Sequence, residues 1–596
     1  MQTLIDSAAE RFAASPRDHA FTLRDDDGWT EVTWRDVGKD VRAIGSALVA
    51  GGVLPGDRVG ILARTRLEWV EAMLGIHAAG GVVSTLYPSN TPAQIAFILR
   101  DAGCVALYVE DEAALARVRQ IRDLVPELRL VVCMDGAHTD ATAWRDHLRR
   151  GRQAFASAPT ALEEARDAIG PSDLAALVYT SGTTGDPKGV MLTHGNLVSV
   201  CVGLAEYLPM EDGDLQLLFL PMSHVFGMVV CLVSVHVGAP TILEPDVQRI
   251  AQTLRETRPT FMPAVPRVFE KILATAEDKA RDRGPRALKV FRWAADVARR
   301  YSVAMQRGQV SAALRAQHAL ADRLVYRRVR DGLGGRIRAF SSGAAPLSPD
   351  VSHFFHGAGM VVLEGYGMTE SAAITTVSPL DDFRLGTVGI SHESLDVRIA
   401  SDGEILIRGP SVMVGYWNRP EETARALVDG WLHTGDLGSF DQDGHLQITG
   451  RKKDILITAG GKNIAPARIE AMLVGASPLV RLAMLHGDRR KHCVALIELD
   501  PEALADFARL HDLPGGGPDA WLTNPRLHTE ISAVLDRVNE RLASFESVKR
   551  VHLLRREPSV DNGELTPSMK LRRAVISEHY KSALDAMYAP GAPIVS

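Results

Sequence analysis

Between Thr33 and Asp135 the chain alternates between two hydrophobic periods. Trp34 to Ala50 has apolar residues at helical spacing and leads to the short run Asp57-Arg58-Val59-Gly60-Ile61-Leu62. A second helix-period stretch, Glu68 to Ala79, leads to Val82-Val83-Ser84-Thr85-Leu86. Thr91 stands where it would cap a third helix, which ends near Gly103 before Val105-Ala106-Leu107-Tyr108-Val109. Ala113 to Leu124, followed by Leu128 to Met134, repeats the unit. Helices of about twelve residues between short β-branched runs predict a parallel sheet covered by helices on both faces.

Further along the patterns change. Leu174-Ala175-Ala176-Leu177-Val178 reads as another buried strand. From Leu215 to Glu244 only Gln216 and two histidines interrupt a stretch free of charge, long enough to span a bilayer. Pro221, His224, Gly227, His236, Gly238 and Pro240 fall inside it, which favours a buried helix and strand over a membrane span. From about residue 250 to 335 the chain is helical in period and rich in Ala and Arg, including Arg292, Arg299, Arg300, Arg323, Arg327 and Arg328. A solvated helical face is the first explanation of these arginines and a surface touching anionic lipid the second. Asp396 to Tyr416 reads as short strands with turns at Asp402-Gly403 and Gly409-Pro410, a small antiparallel region. Strand and helix signals restart beyond Gly450, with a loop at Gly515-Gly516-Gly517-Pro518. The expected class is α/β: a large N-terminal domain over residues 1–450, with doubly wound sheets and the small antiparallel region, and a smaller α+β C-terminal domain over 451–596.

Composition narrows the picture in three ways. A chain of 596 residues is too long for one core, which supports the division. A formal net charge of −6 gives no reason to expect a nucleic-acid partner. Cys104, Cys133, Cys201, Cys231 and Cys493 are scattered and form no C-x-x-C pair, so neither a disulfide framework nor a zinc site follows. With no basic and apolar leader in Met1-Gln2-Thr3-Leu4-Ile5-Asp6, a reducing, cytoplasmic location is expected.

The densest chemistry lies in Tyr179-Thr180-Ser181-Gly182-Thr183-Thr184-Gly185-Asp186-Pro187-Lys188-Gly189. Glycines let backbone N–H groups converge on a ligand, the hydroxyls add rotatable donors, and Lys188 adds a mobile charge. Such a loop suits a polyphosphate. It is not the common P-loop, which needs four residues between its glycines and a Lys followed by Ser or Thr. The loop instead resembles the phosphate-binding signature of the adenylate-forming superfamily of acyl-CoA synthetases, luciferases and peptide-synthetase adenylation domains.

Four further segments follow in the order that this resemblance implies. Gly365-Tyr366-Gly367-Met368-Thr369-Glu370 offers a ring for adenine stacking, close backbone approach, and Glu370 as a hard ligand for Mg²⁺. Upstream of this first segment, Ser341-Ser342-Gly343-Ala344-Ala345-Pro346 resembles the strip lining the other side of that pocket. Gly430-Trp431-Leu432-His433-Thr434-Gly435-Asp436 presents a carboxylate after a tight turn, suited to accepting both ribose hydroxyls. Gly450-Arg451-Lys452-Lys453-Asp454 matches the family's ribose- and phosphate-contacting arginine at Arg451 and its hinge at Lys453. Gly563-Glu564-Leu565-Thr566-Pro567-Ser568-Met569-Lys570 matches the segment whose lysine a mobile C-terminal domain carries into the active site.

The resemblance spans roughly residues 30 to 575 and implies a two-step reaction. A carboxylate attacks ATP to give an acyl-adenylate and pyrophosphate, and the thiol of coenzyme A then displaces AMP. It assigns catalytic roles to Lys570, Lys188, Thr184, Glu370 and His224, and metal binding to Thr184 and Glu370. Nucleotide and coenzyme A contacts would come from Thr180, Ser181, Gly182, Thr183, Thr184, Gly185, Lys188, Gly343, Ala344, Gly365, Tyr366, Gly367, Thr369, Asp436, Arg451, Lys453, Gly460 and Gly461. Gly460-Gly461-Lys462-Asn463-Ile464-Ala465-Pro466 and the Leu-Thr-Pro-Ser-Met-Lys form resemble the long-chain fatty-acyl branch. Leu217 to Leu243 is then a candidate wall for an alkyl tunnel. Open alternatives are a fatty acyl-AMP ligase serving a carrier protein, a ligase for aryl or steroid acids, and a non-catalytic nucleotide-binding module. The partners implied are fatty acid, ATP and coenzyme A, with no transmembrane segment and at most peripheral membrane contact.

Overall fold

The computed structural model describes residues 2–15, 18–25, 28–180, 187–207, 213–513, 515 and 517–596. The alternation before Asp135 becomes a parallel sheet because its apolar runs are buried on both faces: Val82–Leu86 at every position and Arg58–Leu62 at all but the first. Between strands, Thr91 closes a capping box with Gln94 at the start of the helix Pro92–Ala102, and Gly103 ends it in the left-handed region at φ 62°. Among the described residues the sheet has eight strands. Its parallel part runs from Thr142–Ala143 inward to β1 (Leu174–Thr180), and β2 (Lys188–Thr193) folds back antiparallel on β1 with Thr180 opposite Lys188. The hydroxyl- and glycine-rich run 181–186, which lies outside the described residues, joins these two strands at that pair.

The uncharged stretch after Leu215 forms a strand, Gln216–Leu218, a mostly buried helix, α1 (Val225–Val237), and a strand, Thr241–Leu243. Both strands enter a second sheet, of nine strands among the described residues, where β3 (Phe261–Ala264), β4 (Ala339–Ser342) and β5 (Val361–Tyr366) run parallel side by side. The core reading of this stretch therefore holds. Among the described residues no helix is long and apolar enough to cross a membrane. The chain's first elements, the helix Leu4–Ala14 and the hairpin His19–Asp25 with Gly28–Thr33, were not visible as a periodic pattern; the hairpin forms one edge of this sheet.

Two strand expectations change in the antiparallel region. Gly415–Tyr416 leaves it and pairs with β2 of the first sheet, Tyr416 opposite Val190. The segment read as a tight turn before Asp436 is instead the first half of a ten-residue strand, β6 (Trp431–Phe440), bent at Gly435 (φ 69°) and paired with β7 (Leu446–Arg451). Its inward positions after Leu432 are Thr434, Asp436 and Gly438, so a period of two exists in burial but not in hydrophobicity.

Beyond β7 a separate apolar core forms from residues between Ile464 and Val595. Its sheet comprises Val480–His486, Cys493–Leu499 and Val548–Leu553, with Pro466–Gly475 and Pro525–Asn539 among its helices. This smaller α+β body touches the larger one through hydrogen bonds and ion pairs that bear on the site.

Candidate functional site

The site stands at the carboxyl ends of β4 and β5, where parallel sheets characteristically take ligands. Gly343 and Ala344 follow β4, with Ala344 held at φ 71°, a conformation that costs an L-residue energy. Gly365 and Tyr366 end β5, and Gly367 follows in tight contact, since a Cβ there would lie 2.1 Å from the Ala373 carbonyl oxygen. That packing requires glycine and fixes where the Tyr366 ring emerges. Tyr366 Oη donates to Asp436 Oδ2 (2.9 Å), and Arg451 Nε donates to Asp436 Oδ1 (2.7 Å). The β6–β7 register, which sets Asp436 opposite Arg451, accounts for the second bond. Asp436 is buried. Burial and the adjacent Asp436 charge push the Tyr366 phenol well up, so its hydroxyl remains a donor.

Lys570 reaches this group from the smaller body. It closes a tight hairpin in which Leu565 bridges Leu571, Thr566 N–H donates to the Lys570 carbonyl (2.8 Å), and Met569 takes φ 63°. The larger body holds the hairpin at its tip, where Ser89 Oγ donates to the Pro567 carbonyl (2.9 Å). The lysine is solvent-accessible yet sits in a concave cleft crowded by protein atoms. That desolvation, with Arg451 and Lys453, lowers its pKa, against the attraction of Glu370 and Asp436. His224 caps the start of α1, with Nδ1 accepting from Phe226 N–H (3.1 Å). Burial and the Lys570 charge push its imidazole down to about 4, so the ring is neutral at pH 7 and carries its proton on Nε2.

Glu370 follows Thr369, itself buried, in a short 3₁₀ turn. Glu370 Oε1 accepts from the Tyr416 hydroxyl (2.8 Å). Lys188, the first residue of β2, lies over the Tyr416 ring and is paired with Glu422 Oε2. Thus the loop's lysine faces a carboxylate. Tyr416 and Glu422 were not singled out in the sequence; the aromatic turn Tyr416-Trp417-Asn418-Arg419-Pro420, followed by acids, was the available signal. As for Mg²⁺, a single hard carboxylate beside phosphate oxygens is an ordinary donor set, and Glu370 fits it. The second expected ligand, Thr184, lies outside the described residues, as do Ser181, Gly182, Thr183 and Gly185. Thr180 ends β1 beside them, with Oγ1 3.5 Å from the Lys188 carbonyl.

A cavity enclosing about 870 Å³, open mouth included, leads away from Gly343, Gly365, Tyr366 and Gly367. One face of α1 lines it through Phe226, Val230, Val233, Ser234 and Val237, spaced three and four apart. Phe261 and Gln216, the first residues of their strands, line it too, so it runs from the carboxyl ends of the sheet toward the amino ends. At 1.5 Å per residue α1 gives this wall a length of about 18 Å. The wall is overwhelmingly apolar. Gly460 and Gly461 lie elsewhere, exposed at the tip of the hairpin of Leu456–Ile457 with Asn463–Ile464, and Lys453 is exposed just after β7.

Residues 9–417 match the family model described as AMP-binding enzyme, and residues 453–591 match that described as AMP-binding enzyme C-terminal domain. The chain is 39% identical over 564 residues to proteins of Mycobacterium bovis and Mycobacterium tuberculosis named long-chain-fatty-acid–CoA ligase FadD15, covering 94% of this chain and 92% of theirs. Among solved structures, the fold is similar to that of the adenylation domain of a carboxylate reductase from Mycobacterium chelonae (TM-score 0.76, 24% identity, 99% of this chain and 91% of that one). It is also similar to that of the anthranilate CoA ligase AuaEII in complex with anthranoyl-AMP (TM-score 0.75, 20% identity, 98% of each chain).

Proposed function

The chain belongs to the AMP-binding enzyme family, and from that premise we propose that it activates a long-chain fatty acid with ATP and transfers the acyl group to coenzyme A. The observation that carries the substrate reading is the apolar cavity that opens beside Tyr366 and follows one face of α1. An extended wall of this kind suits an alkyl chain better than a compact aryl acid, because the favourable energy scales with the apolar area buried.

In this reading residues 1–450 bind ATP and acid, and residues 451–596 turn about Lys453. Tyr366 stacks on adenine against the strip at Gly343 and Ala344, and Asp436 accepts from the ribose hydroxyls with Arg451 at its side. The run from Thr180 to Gly185 and Lys188 hold the phosphates; Lys188 exchanges Glu422 for them. Glu370 and Thr184 would hold Mg²⁺, which supplies charge neutralisation on the phosphate oxygens. An oxygen of the fatty carboxylate attacks the α-phosphorus, forming the mixed anhydride as the bond to the β-phosphate oxygen breaks and pyrophosphate leaves. The Lys570 ammonium stands between the two anions and offsets their repulsion as charge shifts. His224, neutral with its proton on Nε2, can donate to the acyl carboxylate. In the second step the smaller body turns, Gly460 and Gly461 approach the thiol, and the sulfur attacks the acyl carbon as AMP leaves.

The test is pyrophosphate exchange across a panel of acids, followed by acyl-CoA formation. Exchange and thioester formation with long-chain acids are expected. Exchange without any CoA-dependent product would favour an acyl-AMP ligase, and no ATP turnover with any acid would refute the reading.

A further inference from the structure

Residues 283–338 carry fourteen arginines and lysines against three aspartates, a net of +11 in a chain whose formal net charge is −6. They lie on α2 (Pro285–Gln306) and on α3 (Ala312–Ala321), which runs on through a π turn, Asp322–Tyr326, into Arg327–Gly332. α2 buries one face against the core through residues such as Phe291, Ala294 and Ala298, whereas α3 buries only Ala321. The outer side of the α3 segment exposes Ala313, Ala316, Leu320 and Leu324, spaced three and four apart in one stripe. Leu320 is 52% exposed and Leu324 37%, and Met305 of α2 is 44% exposed. Arg323, Arg327 and Arg328 border the stripe, and they and Arg315 are exposed.

Some of the charge is used within the protein. Arg292, Arg300 and Arg330 pair with Glu277, Asp296 and Asp322. Arg286, Lys289, Arg307, Arg315, Arg323 and Arg327 form no ion pair among the described residues. A merely solvated face would not need an exposed leucine stripe, and leucines ringed by arginine are the amphipathic pattern that lies in a bilayer interface. Single-stranded nucleic acid would call for exposed aromatic platforms, and none of the large apolar side chains exposed on this segment is aromatic.

We propose that the outer face of α2 and α3 docks on an anionic phospholipid surface, Leu320 and Leu324 entering the interface while the unpaired arginines and Lys289 contact lipid phosphates. The binding itself does not depend on the proposed reaction; its use, access to a water-insoluble acid, does. Each cation near such a surface strengthens binding about fivefold.

Co-sedimentation of the intact protein with phosphatidylcholine vesicles, with and without phosphatidylglycerol, tests this. Binding is expected only to the vesicles containing phosphatidylglycerol, and it should weaken as salt rises. The triple variant Arg315→Glu, Arg323→Glu, Arg327→Glu should lose affinity by about a hundredfold or more. Leu320→Ser with Leu324→Ser should lose at least about tenfold while keeping the salt dependence. Both should retain the wild-type melting temperature and turnover of detergent-dispersed acid, which separates a docking defect from misfolding or a failed active site. No binding, equal binding to neutral vesicles, undiminished binding by the triple variant, or preference for RNA over vesicles would each overturn the proposal.

Discussion

Asp436 is the residue we propose to hold the ribose, and its surroundings suit that role. Two donors, Tyr366 and Arg451, already hold its carboxylate in one orientation, so in the proposed role a ribose diol would meet a preset acceptor rather than a mobile side chain. That Tyr366, Asp436 and Lys570 would come together was legible in the sequence, because each sits in a short run of glycines and polar groups that a plain core or loop would not need. Glu422 was not legible, since an acid on an exposed helical turn looks the same whether or not a lysine from another strand reaches it. If Lys188 holds phosphates as proposed, its pairing with Glu422 sets a carboxylate in competition with a triphosphate for the same ammonium. Glu422→Gln should therefore lower the KM for ATP, by up to about fivefold given the worth of a partly exposed ion pair, with kcat little changed. Steady-state kinetics in ATP checks this; an unchanged KM would make the pair a passive contact.

At the scale of elements, α1 joins two halves of the proposed chemistry. Its first turn sets His224 beside Lys570, and its inner face becomes the cavity wall. The uncharged run that forms it could be read as core from its prolines and glycines, but which face would line a cavity depends on how Phe261 and Gln216 pack opposite, and that is tertiary information. β6 shows the reverse case: its inward positions after Leu432 are Thr434, Asp436 and Gly438, so no hydrophobic alternation marks the strand. Because α1 starts at the strand carboxyl ends, Val233 lies partway down the cavity. Val233→Phe should shift acyl preference toward shorter chains, with long-chain kcat/KM falling at least about tenfold and short-chain turnover retained. A uniform loss across chain lengths, without a change in melting temperature, would argue against α1 as the tunnel wall.

Across the whole molecule the two bodies meet in an arrangement that brings Lys570 to the site. Ser89 holds the Lys570 hairpin, Arg267 pairs with Asp500 (3.3 Å), and Arg541 pairs with Asp350. These are few and partly exposed contacts, as a reversible interface requires. The division into two cores was readable from length and from the restart of patterns after Gly450; the contacts between them were not, because no local periodicity encodes them. The larger body also has a built-in acid sensitivity. Burial pushes His77 down to about 3 and His147 and His194 to about 4. Folded, these rings stay neutral while the unfolded chain protonates near 6.5, so stability is full above pH 6.5 and falls as pH drops toward 4. Urea midpoints should decline through that window; a flat profile would mean that other groups compensate.

The central claim is that the smaller body supplies Lys570 for adenylate formation and withdraws it for thioester formation. The direct measurement compares the two half-reactions of Lys570→Ala: pyrophosphate exchange with fatty acid, and CoA-dependent consumption of a supplied acyl-adenylate. The account predicts a loss of at least about a hundredfold in the first, with the second close to wild type. Equal losses in both half-reactions, or none in the first, would contradict it.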